Sequence, residues 1–151
     1  MNTATGIKAY TKIGLESGVT AADPHKLISM LFEGALLAIA KAKNGILLSD
    51  IPAKGAAISK ALAIIDEGLS ASLDKNAGGE LAQNLSSLYD YMIFRLFTAN
   101  LKNDIDMLDE VSRMLTELKD AWDNIRQTPA VQAVVNQAPP VDKAQLTYVI
   151  R

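Results

Sequence analysis

Apolar residues recur at three- and four-residue intervals through most of this 151-residue chain. That is the period of one helix face, not the alternation of a strand. The clearest stripe is Leu108, Val111, Leu115, Leu118, Trp122 and Ile125. A second runs through Ile58, Leu62, Ile65, Leu69 and Leu73, with Lys54, Lys60 and Glu67 off the seam. Both have the a/d spacing of a bundle member. Breakers divide the pattern. Asp23-Pro24 joins a capping carboxylate to a proline whose fixed φ suits the first helical turn, and Ser49-Asp50-Ile51-Pro52 repeats the signal. Lys75 to Gly79 has loop composition, Asn103 or Asp104 starts a last helix, and Thr128-Pro129 follows its end. Helices are predicted over 23–48, 51–74, 80–101 and 104–126. Their short connections force antiparallel neighbours. The expected fold is all-α, an antiparallel up-down four-helix bundle over 1–126, with residues 1–22 as a short N-terminal cap segment or helix.

The first and third helices carry more apolar surface than one stripe. Gly34 to Ala40 is seven residues without a polar side chain. Leu88 to Phe97 has only Asp90 and Arg95 as charges among Tyr89, Tyr91, Met92, Ile93, Phe94, Leu96 and Phe97. A helix apolar all round needs cover on all sides, and a four-helix bundle covers about one stripe of each. The excess is left for residues 1–22, for residues 127–151, or for another chain. Pro129, Pro139 and Pro140 argue against a continuing helix after 126. Residues 127–151 are expected to be a mobile or loosely packed tail, able to fold back through Val134, Val135, Leu146, Tyr148 and Ile150.

Composition agrees with the helical reading: 49% of residues are hydrophobic but only 5% aromatic, with Ala, Leu and Ile supplying the mass. With 15 basic against 17 acidic residues, no basic stripe favours nucleic acid. No apolar run approaches the ~20 residues of a membrane span, and no signal peptide is evident. The chain reads as a soluble cytoplasmic protein without stable membrane insertion.

The search for chemistry returns little. Without Cys, thiolate catalysis and metal-thiolate sites are absent. The single histidine, His25, sits in a first helical turn with no accompanying Ser or carboxylate motif. No paired Glu-x-x-His motif supports a di-iron bundle. Asp104, Asp106, Asp109 and Glu110 open a helix, where negative charge suits the macrodipole without any metal. Gly78-Gly79 lacks the Lys-Ser/Thr of a phosphate loop. Asp90 and Arg95 are five apart, a poor spacing for a pair on one helix. No cofactor, metal site or catalytic residue is expected, and an enzyme is the least favoured class.

Two blocks resemble a known family. Tyr10, then Val19 through Leu36 (Val-Thr-Ala-Ala-Asp-Pro-His-Lys-Leu-Ile-Ser-Met-Leu-Phe-Glu-Gly-Ala-Leu), is similar to the opening of the FliS family of flagellin export chaperones. Leu88-Tyr89-Asp90-Tyr91-Met92, Arg95-Leu96, Ala99-Asn100 and Asn103-Asp104 form the second block. Ile64-Ile65-Asp66, Leu73-Asp74 and Ala121-Trp122 fit as well. The resemblance covers about residues 7 to 123. It departs at Phe94, where the family usually has a basic residue beside the position of Arg95.

The resemblance implies a cytoplasmic bundle that holds the C-terminal, polymerising segment of flagellin before type III export, with the flagellar export machinery and other flagellar regulators as further partners. Grooves between helices would take amphipathic client segments. Excess apolar surface is what such a groove needs. On this reading the client site uses Ile58, Leu62, Ile65, Leu69, Tyr91, Phe94 and Leu101, while Ile7 and Tyr10 form a lid that also grips the client. A structural helical protein that self-associates through the same surface is the competing reading.

Overall fold

A computed structural model describes residues 23–125. Helix α1 spans Pro24–Leu47 and α2 spans Ile51–Ala63, continued by a π-helical segment, Ile64–Ser70. Helices α3, Gly79–Lys102, and α4, Ile105–Asn124, complete the described residues, which contain no strand. The architecture is an all-α four-helix bundle. Helix α1 packs against α2, the π segment and α4, while α3 packs against α4, the π segment and α2.

Local chemistry sets the helix starts. Asp23, Asp50 and Asp104 each accept a backbone N–H three residues on, from Lys26, Ala53 and Met107, all at 3.1 Å. Each bond satisfies one of the orphan donors of a first turn. Asn103 ends α3 in the left-handed region, at φ 53°. There the Asp104 N–H can return to the Ala99 carbonyl at 3.1 Å.

The core lies where the stripes meet: Phe32, Ile39, Ile58, Ile65, Met92, Leu96, Leu108 and Leu115 are buried. Each large side chain so placed contributes roughly 1.5–3 kcal/mol. The second helix departs from the sequence expectation. It leaves the α pattern at Ile64 and ends at Ser70 rather than Asp74, and its Ala71 N–H bonds to the Asp66 carbonyl, five residues back. The wider turn places Ile64, Ile65, Gly68 and Leu69 all inside. The last helix also ends earlier than expected: Ile125 is extended, at φ −87° and ψ 134°. The expected cap over 1–22 and the tail over 127–151 lie outside the described residues.

Lys54 ties α2 to α3. Its ammonium, on a residue only 6% exposed, donates to the Asn100 carbonyl at 2.9 Å and to Asn103 Oδ1 at 2.6 Å. A cation at the C-terminal end of α3 meets the negative pole of that helix and its unpaired carbonyls. The α1–α2 corner therefore sits at the same end of the molecule as the close of α3.

Candidate partner-binding surface

Apolar side chains that find no cover in the bundle gather in three places. On α3, Tyr91, Phe94, Phe97 and Leu101 face outward, with Phe94 64% and Leu101 85% exposed. Positions 94, 97 and 101 recur at the helical interval, on the face away from buried Met92, Leu96 and Ala99. The second place is the α1–α2 corner, where Leu47, Leu48 and Ile51 are exposed. A shallow groove of about 380 Å³ runs beside it, lined by Leu48, Ala53, Ala56 and Ala57, with Lys41 and Lys60 also in its wall. Scattered exposed leucines are ordinary, but a contiguous group of aromatic and leucine side chains marks a surface for another molecule.

The third place is at the opposite end, a cleft of about 160 Å³ between the start of α1, the end of the π segment, the start of α3 and the end of α4. Ile28, Phe32, Leu69, Leu73, Leu81, Leu85, Tyr89, Leu118, Trp122 and Ile125 line it, with Ser72 also in its wall. Its wall is pinned. His25 stacks on Trp122 at 4.6 Å between ring centroids. The Trp122 indole N–H donates to the His25 carbonyl at 2.8 Å, and His25 Nε2 lies 2.7 Å from the Trp122 carbonyl. The histidine is thus a structural link between α1 and α4.

Polar groups around the α3 stripe fix its edge. Glu110 of α4 accepts from the Tyr91 hydroxyl at 2.7 Å and from Arg95 Nε at 2.6 Å. The Arg95 guanidinium lies over the Tyr91 ring, 5.9 Å from its centroid. Chiefly the Tyr91 hydrogen bond, and next that from Arg95, hold the Glu110 carboxyl below its ordinary range. Of the acidic group that opens α4, Asp104 caps the helix and Asp109 pairs with Lys43 at 3.1 Å. Among the described residues, no group of three or more His, Asp or Glu is placed to hold a metal ion.

The residues expected to line a client groove divide. Tyr91, Phe94 and Leu101 are exposed together on α3, and Leu62 is half-buried against the core. Ile58 and Ile65, also expected there, are fully buried in the core of this structure. Their seam spacing places them among the residues that build the core. Leu69 is likewise core, reaching only the cleft wall. Ile7 and Tyr10 lie outside the described residues. Sequence reasoning missed Phe97, Leu47, Leu48 and Ile51 as surface residues. For Phe97 a signal was present, three residues after Phe94 and four before Leu101.

The family described as Flagellar protein FliS matches residues 6–129. The flagellar secretion chaperone FliS of Salmonella typhimurium is 50% identical over 132 residues, covering 87% of this chain and 98% of that protein. The flagellar secretion chaperone FliSB of Pseudomonas aeruginosa is 47% identical over 119 residues, 79% of this chain and 94% of the relative. The FliS chaperone of Escherichia coli is 40% identical over 131 residues, 87% and 96% of the two chains. With a match of this extent and relatives covered nearly end to end, the chain belongs to the FliS family of flagellar proteins.

Proposed function

We propose that this protein is a flagellar secretion chaperone that binds the C-terminal segment of flagellin in the cytoplasm, prevents its premature polymerisation and keeps it competent for export. The relatives named as flagellar secretion chaperones support the general role. The observation that carries the site is the outward row Phe94, Phe97 and Leu101 on α3, whose C-terminal end lies at the same end of the bundle as the α1–α2 corner with its exposed Leu47, Leu48 and Ile51. An amphipathic segment laid along these side chains would bury its own apolar face against theirs, the helix-in-groove mode of recognition. The client would order as it binds, so its affinity would be modest for the area covered. Such holding requires no catalytic step.

Co-purification and light scattering with flagellin test the reading. A stoichiometric mixed complex with intact flagellin, lost when the C-terminal segment of flagellin is removed, is the expected result. Equal capture of the truncated flagellin would move the site to another part of the client. Self-association of the chaperone without flagellin capture would favour the structural reading.

A further inference from the structure

The cleft at the α1–α4 end is separate from the α3 stripe. We propose that its occupant is this chain's own C-terminal segment, docked through Val131, Val134 and Val135. Three observations carry the assignment. First, α4 delivers the chain to the cleft: Trp122 and Ile125 line it, and Ile125 has already left the helix in extended geometry. Six residue steps separate Ile125 from Val131, a reach of up to about 20 Å. A tether this short holds the valines at an effective concentration on the order of millimolar, so weak apolar contact suffices.

Second, the chemistry matches. The cleft lining is apolar apart from Ser72 and the polar tips of Tyr89 and Trp122, and the Trp122 indole N–H is already satisfied by His25. Residues 129–138, Pro-Ala-Val-Gln-Ala-Val-Val-Asn-Gln-Ala, contain no charge and place valines at three- and four-residue spacing. Residues 1–22 instead carry Lys8, Lys12 and Glu16 among their apolar positions. Third, the site is built before it is filled. The His25–Trp122 stack and its hydrogen bonds hold one wall in place, so docking need not order the wall as well.

Trp122 is the only tryptophan and lines the cleft, so it reports occupancy in the full chain. Val134→Asp with Val135→Asp is expected to shift its emission to the red. Quenching by acrylamide should rise roughly twofold as the docked population is lost. Truncation after Arg126 should do the same, with far-UV circular dichroism showing that the helices persist. Unchanged emission and quenching in both variants would overturn the proposal. So would a change produced only by deleting residues 1–22, only by raising protein concentration, or only by adding flagellin, which would assign the cleft to the N-terminal segment, a second copy or the client. If the aspartates unfold the protein, cross-linking decides. In this cysteine-free chain, Ser72→Cys with Val134→Cys should oxidise to an intramolecular disulfide, and failure to do so would also overturn it.

Discussion

One side chain of α3 and one of α4 answer to pH in opposite directions, for reasons visible in their surroundings. Burial pushes the Tyr89 phenol well above its ordinary value of 10.0. A raised folded-state value means that the contribution is intact below pH 10 and is lost as pH climbs beyond it. Tyr89→Phe should therefore lie within about 1 kcal/mol of the parent at neutral pH. It should keep its stability further into the alkaline range, as measured by denaturant melts across pH. Glu110 behaves conversely. Its carboxyl is held below 4.5 by Tyr91 first and Arg95 second, so its contribution exists above the ordinary carboxylate range and fades as pH falls through the lowered value. Glu110→Gln should flatten the acid limb of the stability profile. An acid limb as steep as that of the parent would show that solvent screens the contact completely.

At the scale of elements, the corner between α1 and α2 depends on one missing side chain. A Cβ on Gly45 would stand 2.8 Å from the Lys54 backbone nitrogen, and the Gly45 carbonyl accepts the Asp50 N–H at 2.8 Å. Gly45→Ala should cost about 1–3 kcal/mol, because backbone must move to admit the methyl. Gly55→Ala, where a Cβ meets nothing within 4 Å, should instead stabilise by roughly 0.5–1 kcal/mol. Thermal melts of the two variants should separate in sign. The caps that open these helices were legible in the sequence, because a carboxylate before a helix acts through its own neighbours. The turn from α to π pitch at Ile64 was not, since a change of hydrogen-bond partner leaves no mark in composition. Nor could spacing alone tell core from groove. Ile58 and Ile65 share the three- and four-residue interval of Phe94 and Phe97, and only the position of the other helices decides which row is covered.

Across the whole molecule, the proposed binding surface and the residues that hold the bundle together are different. Phe94 and Phe97 are more than half exposed, and the core residues that hold the bundle lie on the opposite side of α3. Phe94→Glu with Phe97→Glu should shift the thermal midpoint by only a few degrees, since exposed substitutions stay within about 0.5 kcal/mol each. The same pair should weaken flagellin binding tenfold or more, about 1.4 kcal/mol by the affinity scale, as titration calorimetry would read it. Unfolding together with lost binding would place these rings in the core, against the geometry. No helix among the described residues is long and apolar enough to cross a membrane.

If the exposed rings of α3 hold the client as proposed, they also set how that grip responds to temperature. Water released from Phe94, Phe97 and Leu101 on binding lowers the heat capacity, so the binding enthalpy becomes more negative on warming. The apolar share of the affinity weakens on cooling. Calorimetric titrations with flagellin at several temperatures should give a clearly negative slope of enthalpy against temperature. Replacing both rings with glutamate should shrink that slope along with the affinity. A slope that survives the replacement would mean that the water leaves from elsewhere on the molecule.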